Sequence, residues 1–171
     1  AKVAKKLQQK YPDIRYNISS GNAEHVLEYL DKGIIDFGLL FTEIDPQKYE
    51  AIPVPIKDTW GVLMRKDSPL AEKETICPED LWDKPLIVSH QKGDDVYLNQ
   101  WLQRAESELP IVAPYNLLFN ASLLVDEGLG YALCYDTLIN TKGRNLCFRP
   151  FSPRLEAHGF FVCKHLRYAL H

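Results

Sequence analysis

The sequence predicts an α/β fold of two lobes that are joined by a hinge and separated by a cleft. Short apolar runs, typical of buried strands, alternate with segments whose apolar residues repeat at helical spacing. This alternation occurs twice, in two halves with no low-complexity linker between them. The last strand-like segments have no partner of their own in the second half, so we expect them to return to the first half.

Length and composition agree with a folded α/β chain. The 171 residues are 46% hydrophobic, which is enough to bury a sizeable core. The net charge is -3 and the pI is near 6.0, so the surface as a whole does not attract nucleic acid or an anionic membrane. No apolar stretch approaches the roughly 20 residues that span a bilayer. The opening segment lacks the apolar region of a signal peptide.

The four cysteines predict reduced thiols in a cytoplasmic protein. They are Cys77, Cys134, Cys147 and Cys163, and they lie far apart in the sequence. Cys134, Cys147 and Cys163 fall in apolar runs. Free cysteine packs as a small hydrophobic residue, and disulfides are rare in the cytoplasm. No CxxC or Cys/His spacing indicates zinc, so we expect neither a metal site nor another cofactor.

The first half predicts a helix, a strand, a second helix and a second strand. Apolar residues at helical spacing begin at Val3, and Pro12 ends this helix. Alternation over residues 14–18 predicts a strand, and helical spacing over residues 23–34 predicts the second helix. The apolar run over residues 37–41 predicts a strand that is covered on both faces. Together they form a βαβ unit, so we expect the two strands to be parallel.

A segment with Pro46, Pro53 and Pro55 follows as a connection, and the second half then repeats the alternation. The predicted strands are residues 59–64, 84–89, 110–118, 130–135, 145–151 and 156–165, and the predicted helices are residues 94–109 and 120–128. The returning strands would cross between the lobes twice, which is the geometry of a hinge. We therefore assign residues 1–58 and 152–171 to lobe I and residues 59–151 to lobe II.

No segment of the sequence resembles a reaction centre, and we predict neither an enzyme nor catalytic residues. The serine motif GxSxG is absent, and the GLG at residues 128–130 lacks the rest of a dinucleotide-binding fingerprint. We expect Gly128 to end the preceding helix instead. Asp94 and Asp95 could form an acid–base or metal-binding pair, but a helix cap followed by a first-turn acid also explains them.

Small polar residues occupy three junctions between a strand and the following helix. The junctions are Ser20-Gly21-Asn22, Ser89-His90-Gln91 and Asn120-Ala121-Ser122. A helix start presents unpaired backbone N–H groups that can hold a small anion such as a carboxylate. Simple capping by Asn or Ser remains the alternative at each single junction. Because the three junctions are distributed over both halves, they indicate a cleft for a small polar molecule.

Four segments together resemble a known family. They are "YPDIRYNISSGNAEHVLEYLDKGIIDFGLLF", "PIKDTWGVLMRKDSPLA", "DLWDKPLIVS" and "LLVDEGLGYALCY". In this order and spacing they resemble the effector-binding domain of LysR-type transcriptional regulators, over residues 1–171. Tyr135 departs from the pattern, because the family often has proline at this position.

The resemblance implies a fold like that of the type 2 periplasmic binding proteins. This fold has two Rossmann-like lobes, two crossing strands as the hinge, and the effector between the lobes. The resemblance also implies three parts outside this chain: an amino-terminal winged helix-turn-helix domain for DNA, a first strand, and the end of the carboxyl-terminal helix.

The resemblance also assigns the site. Asn22 takes the position of a first-lobe Ser or Thr that contacts the effector, and Ser20 and Gly21 belong to the same first-lobe junction. Ser89, His90 and Gln91 fall on the second-lobe loop at a strand end, Asn120 and Ala121 on the next helix start, and Leu155 close to a crossing. The predicted ligand-binding residues are Ser20, Gly21, Asn22, Ser89, His90, Gln91, Asn120, Ala121 and Leu155.

We therefore expect an effector-sensing domain that binds a small anionic metabolite and controls DNA binding or transcription. The family implies a homodimer or homotetramer. Val3, Leu7 and the helix around residues 121–125 are candidate contacts, although they could equally be ordinary core. The alternative function is a solute-binding protein of a transport system with the same fold. It would require secretion, and the four cysteines argue against it.

Overall fold

The computed structural model describes residues 2–90, 94–136 and 138–165. Within these residues seven strands form one sheet in the order β1-β7-β2-β5-β3-β4, and β6 pairs with β2. The strands are β1 (Gly38–Leu40), β2 (Tyr49–Arg65), β3 (Leu86–Ser89), β4 (Ile111–Tyr115), β5 (Tyr131–Tyr135), β6 (Leu146–Pro150) and β7 (Glu156–Lys164). The helices are α1 (Lys2–Lys10), α2 (Ala23–Asp31), α3 (Asp94–Leu102) and α4 (Leu118–Asp126).

Strand β2 runs through both lobes and joins them. Residues 49–59 pair antiparallel with β7, and residues 60–65 pair antiparallel with β5 and β6. The prediction that Pro53 and Pro55 lie in a connection was wrong, because both lie inside this strand. The pairing with β7 is irregular between Pro53 and Lys57. Such an irregularity tolerates prolines, which cannot donate a hydrogen bond to the neighbouring strand.

Lobe II contains the parallel part of the sheet, as its alternating strands and helices predicted. Strand β3 pairs in parallel with both β4 and β5. Helix α3 is shorter than predicted, because Gln103 has a φ of 57° and ends it. Trp82 Nε1 donates a hydrogen bond to the carbonyl of Leu102 at this helix end. Gly128 follows α4 with a φ of 81°, as the sequence predicted, and glycine adopts this conformation at little cost.

Lobe I differs from the βαβ unit that its sequence predicts. Residues 14–18 form no strand, since none of the described strands pairs with them, and a strand needs a neighbour for its backbone hydrogen bonds. Ile18 is exposed instead. Strand β1 pairs antiparallel with β7, so the expected parallel pairing was also wrong. Helix α2 forms as predicted and packs Val26 and Leu30 beside Gly38.

The last two strands end in different lobes. Strand β6 pairs with the end of β2 inside lobe II, which corrects the prediction that it returns to lobe I. Strand β7 does return and lies between β1 and β2. The chain therefore crosses twice, once within β2 and once between β6 and β7. We keep the boundaries given above as the definition of the two lobes.

The buried core is divided unevenly between the lobes. Lobe I has one small cluster, formed by Leu30, Leu40, Tyr49 and Val162. Lobe II has buried apolar side chains on both faces of its sheet, among them Val62, Met64, Ile76, Leu81, Leu86, Leu133, Ile87, Ala121, Val125 and Leu146. The larger part of the hydrophobic stabilisation therefore belongs to lobe II.

The four cysteines are free thiols, as the sequence predicted. Burial raises the pKa of Cys134 and of Cys147, so both thiols stay protonated and weakly reactive near neutral pH. In the part of the chain that the structure describes, no group of three His, Cys, Asp or Glu residues could hold a metal ion. Within the same residues, no helix is long and apolar enough to cross a membrane.

Candidate functional site

A cavity of about 1000 Å³ lies where the two lobes meet. Lobe I contributes residues 41–44, which directly follow β1, and lobe II contributes Trp60, Tyr97 and Tyr135. Residues 155–158, at the second crossing, line it as well. The volume lies at the upper end of the range that is typical of small-molecule sites. Because its walls come from both lobes, the shape of the cavity depends on how the lobes are arranged.

Aromatic rings form one continuous wall of this cavity. The ring centroids of Trp60 and Tyr135 are 4.2 Å apart, and those of Tyr135 and Phe41 are 5.4 Å apart. Trp60 is almost fully buried, whereas Phe41 and Tyr135 are half-buried. The wall joins lobe I to lobe II and can stack against a flat or apolar part of a ligand.

Two carboxylates lie at the edge of the cavity. Tyr97 Oη donates a hydrogen bond of 3.4 Å to Glu43 Oε1 and thereby links lobe II to lobe I. Glu156 accepts a hydrogen bond of 2.7 Å from Lys57 Nζ, and its other oxygen lies 3.7 Å from Arg154 Nε. The hydrogen bond from Lys57 holds the pKa of Glu156 below its usual value, so this carboxylate is ionised at neutral pH.

The first predicted junction lies at the start of α2, outside the wall of the cavity. Asn22 caps this helix, and its Oδ1 accepts a hydrogen bond of 2.9 Å from the backbone N–H of His25. Ser20 is exposed, and Gly21 is half-buried. None of these three junction residues is among the described residues that line the cavity. Their contact with a ligand stays a prediction.

The second junction and the helix that carries the third lie at the same edge of the lobe II sheet. Helix α4 begins at Leu118, two residues before the predicted start, so Asn120, Ala121 and Ser122 lie within the helix and not at its start. Ser89 pairs with Tyr115, and the backbone N–H of His90 donates to the carbonyl of Tyr115 at 2.8 Å. Strand β5 runs parallel to β3 and ends at Tyr135, so the carboxyl end of β3 shares an edge with the aromatic wall. Asn120 is exposed in the first turn of α4, which follows β4. Ligands of open α/β sheets bind at such an edge.

The remaining predicted residues have different surroundings. Leu155 lines the cavity, and its carbonyl accepts a hydrogen bond of 2.9 Å from the backbone N–H of Trp60. Ala121 is fully buried in the core of lobe II. Gln91 lies outside the described residues.

The aromatic wall was missed by the sequence analysis. Phe41 and Tyr135 each come at the carboxyl end of a strand, which is the rule that selected His90. The predicted site included only polar residues at these positions, so the two rings were not part of it. Applying the rule to every residue type would have found both of them.

A second, more open groove of about 900 Å³ is lined by β6. Its charged residues are mainly basic, with Asp136 as the carboxylate: Lys66, Lys142, Arg149 and Arg154. Arg149 donates hydrogen bonds to the carbonyls of Lys73 and Ala71, so its guanidinium is held by backbone groups. The groove and the inter-lobe cavity therefore differ in the charges that they present.

Comparison with known protein families gives a match over almost the whole chain. The family model for the LysR substrate binding domain matches residues 1–170. The chain is also 29% identical over 132 residues to the uncharacterized HTH-type transcriptional regulator YvbU of Bacillus subtilis strain 168. This match covers 77% of the chain and 44% of that relative. The chain thus corresponds to less than half the length of the relative.

Solved structures with the same fold include effector-binding domains. The effector binding domain of QuiR in complex with shikimate has a TM-score of 0.81 at 16% identity, over 98% of this chain and 81% of that one. HinK, a LysR family transcriptional regulator from Pseudomonas aeruginosa, has a TM-score of 0.76 at 15% identity, over 96% and 58%. At these identities the similarity establishes the fold, and it confirms the predicted two-lobed α/β class.

Proposed function

The chain belongs to the LysR substrate binding domain family, and from this premise we propose that it senses a small effector molecule for a transcriptional regulator. The effector binds between the two lobes. DNA is bound by a winged helix-turn-helix domain that is not part of the 171 residues. The observation that carries this proposal is the cavity of about 1000 Å³ with walls from both lobes and from the second crossing.

The contacts across the cavity suggest how binding is transmitted. Phe41 of lobe I packs against Tyr135 of lobe II, and the Tyr97–Glu43 hydrogen bond also joins the lobes. An effector that contacts both walls binds more tightly to one arrangement of the lobes than to another. It therefore shifts the population toward that arrangement, and an attached DNA-binding domain is repositioned.

We propose that the polar junctions supply hydrogen bonds to the effector at the edge of the cavity. The proposed contacts are Asn22 in lobe I and Ser89, His90 and Asn120 in lobe II, whereas Leu155 packs against the effector. Ser20 and Gly21 belong to the same junction as Asn22, and Gln91, which lies outside the described residues, follows His90 in the sequence. Ala121 has no accessible surface, so it supports α4 from within the core.

Calorimetry on point variants tests these contacts. A thermal-shift screen of metabolites first identifies an effector, because a ligand of the folded state raises the apparent stability. Asn22→Ala and Ser89→Ala should each weaken its binding by about 1–3 kcal/mol, since each removes a hydrogen bond to a charged or polar ligand.

Two control variants separate binding from folding. Asn22→Ser keeps a capping oxygen for α2, and Ser107→Ala changes an exposed serine in a different part of lobe II. Unchanged affinity in Asn22→Ala and Ser89→Ala, with an intact fold, would remove these residues from the site.

We further propose a homodimer or homotetramer that uses α1 and α4. Helix α1 has no buried residue, and Val3 is 71% exposed. Helix α4 buries one side in the core and exposes Phe119 and Leu123 on the other. Leu7→Glu and Leu123→Glu should dissociate the oligomer and lower the molar mass measured by analytical ultracentrifugation. Leu138→Glu, at a similarly exposed position, should not change it. An unchanged mass in all three variants would contradict this interface.

We also propose that the domain catalyses no reaction and acts in the cytoplasm without a cofactor. The family match and the HTH-type relative both belong to transcriptional regulators, and the free cysteines agree with a reducing compartment. The transport-linked alternative is not favoured by these matches. Loss of transcriptional control after deletion of this domain, with solute uptake unchanged, would support regulation over transport.

A further inference from the structure

We propose that the inter-lobe cavity takes an organic cation with an apolar body, of the arylalkylamine class. This inference rests on the proposed function, because it assigns the ligand class of the same cavity. It replaces the anionic metabolite that the helix starts led us to expect. The reasons are the charges in the wall, the aromatic rings beside them, and the position of the basic side chains.

The wall of the cavity offers an anion little to bind. Among the described residues that line it there is neither lysine nor arginine, and His158 is the remaining basic group. Glu156 is already paired with Lys57 and Arg154, so its charge is largely compensated. The carboxylate of Glu43, in contrast, takes part in none of these salt bridges, so it is the negative charge that a bound ligand would contact.

Glu43 has no cationic partner within the described part of the chain. Its contact there is the phenol of Tyr97, at 3.4 Å, which is a long hydrogen bond. A ligand ammonium could replace or join this contact and form a charge-assisted hydrogen bond. A ligand carboxylate would be repelled, and the repulsion grows when the lobes close and exclude water.

The aromatic wall favours the same class of ligand. The faces of Trp, Tyr and Phe rings carry partial negative charge and attract cations. Phe41 and Tyr135 border the cavity next to each other, and Trp60, which also lines it, packs against Tyr135. A ligand that combines an ammonium with an aromatic or alkyl body would satisfy Glu43 and cover the rings at the same time.

The features that suggested an anion belong elsewhere. Asn22 Oδ1 already accepts a hydrogen bond from the N–H of His25, and the amide that Asn22 can still offer an effector is neutral, so it supplies no counter-charge for a carboxylate. The basic side chains gather in the separate groove along β6, where Lys66 and Lys142 are exposed. An anion would therefore find its counter-charges in that groove and not between the lobes.

Three ligands with one body and different charges test the inference. Phenylpropylamine, phenylpropanol and phenylpropanoate share an apolar part and differ in the terminal group. Their binding to the 171-residue chain is measured by the shift of the NMR signal of the Trp60 indole N–H. The signal is assigned by its disappearance in Trp60→Phe. We expect the amine to shift this signal and to bind about tenfold more tightly than the carboxylate.

Two glutamate variants show whether the preference comes from Glu43. Glu43→Gln should abolish most of the difference between amine and carboxylate, because it removes the charge and keeps the shape. Glu79→Gln, at an exposed position of lobe II outside the cavity, should leave the difference unchanged. An amine preference that survives in Glu43→Gln would overturn the assignment of this residue and the inference with it.

The outcomes distinguish this inference from the proposed function. If phenylpropanoate shifts the Trp60 signal and binds as tightly as the amine, the cavity is a ligand site and the cation preference is wrong. If none of the three compounds shifts the Trp60 signal at millimolar concentration, both the cation preference and the choice of this cavity are wrong.

Discussion

The two lobes bury their parts of the sheet to different extents. In lobe II, neighbouring residues of β3 point to opposite faces, and both Leu86 and Ile87 are fully buried. In lobe I, Leu40 is buried but the preceding Leu39 is 55% exposed. Within the described residues, the lobe I sheet is therefore covered on one face, whereas the lobe II sheet is covered on both.

The exposed face of lobe I carries a patch of large apolar side chains, formed by Phe37, Leu39, Ile52 and Phe161. The rings of Phe37 and Phe161 stack with their centroids 5.0 Å apart. Helix α2 covers the opposite face through Leu30. This difference in sheet coverage indicates that lobe I is held in position by β2 and β7, whereas lobe II is stabilised by its own core. We expect local opening to begin in lobe I.

The largest expected difference concerns two buried leucines. Leu133→Ala in lobe II should lower the free energy of unfolding by about 4 kcal/mol, and Leu40→Ala in lobe I by about 2 kcal/mol. The cost is smaller in lobe I because Leu40 belongs to a four-residue cluster next to an uncovered face, where neighbours can move into the space. Urea unfolding of both variants measures the two values. An equal or larger loss for Leu40→Ala would contradict the uneven core.

Two glycines at close contacts sharpen the comparison. An added Cβ at Gly61, in lobe II, would lie 2.3 Å from the carbonyl oxygen of Arg149. At Gly159, in lobe I, it would meet the side chain of Val54 at 2.7 Å, and a side chain can move more easily than a paired backbone. We expect Gly61→Ala to cost about 3 kcal/mol and Gly159→Ala about 1 kcal/mol. Thermal unfolding of each variant measures this, and the reverse order would show that lobe I is the more rigid.

Alkaline pH should act on lobe I through Tyr49. Burial raises the pKa of Tyr49 to about 12, and a hydrogen bond with Asp31 adds to this effect. Because the folded pKa lies above the unfolded value of about 10, this stabilisation is complete below pH 10 and is lost as the pH rises toward 12. The free energy of unfolding should therefore fall more steeply over this range in the native chain than in Tyr49→Phe. Urea unfolding at several pH values measures this. The same pH dependence of the free energy of unfolding in both proteins would contradict the role of Tyr49.

The elements of lobe II could be predicted from the sequence more completely than those of lobe I. Strands β3 and β5 are apolar runs with clear boundaries, and their pairing needs no information beyond their alternation with helices. Strand β4 was predicted as well, but it ends at Tyr115, three residues before the predicted end. The alternation at residues 14–18 is equally clear, but a strand also needs a neighbour, and no described strand supplies one. The prolines of β2 misled the prediction because an irregular pairing cannot be recognised from one strand alone.

The candidate site could be predicted only in its local parts. The cap at Asn22 and the strand end at Ser89 follow from neighbouring residues, and the structure has Asn22 at the start of α2 and Ser89 at the end of β3. The ring contact between Phe41 and Tyr135 joins residues from different lobes that are far apart in the sequence. Such a contact depends on how the lobes face each other, which no local pattern contains.

The smallest expected effect concerns the hydrogen bond that joins the lobes. Tyr97→Phe should lower the free energy of unfolding by about 0.5 kcal/mol or less, because the bond to Glu43 is 3.4 Å long and both residues are exposed. Backbone hydrogen exchange should nevertheless become faster in β1 and stay unchanged in β3. The bond helps to hold lobe I in place, whereas lobe II is stabilised by its own core. Tyr16→Phe, which removes a bond within lobe I to the carbonyl of Ala4, is the matched control. Equal changes in β1 and β3 would show that the two lobes open together and that their different cores do not make them independent.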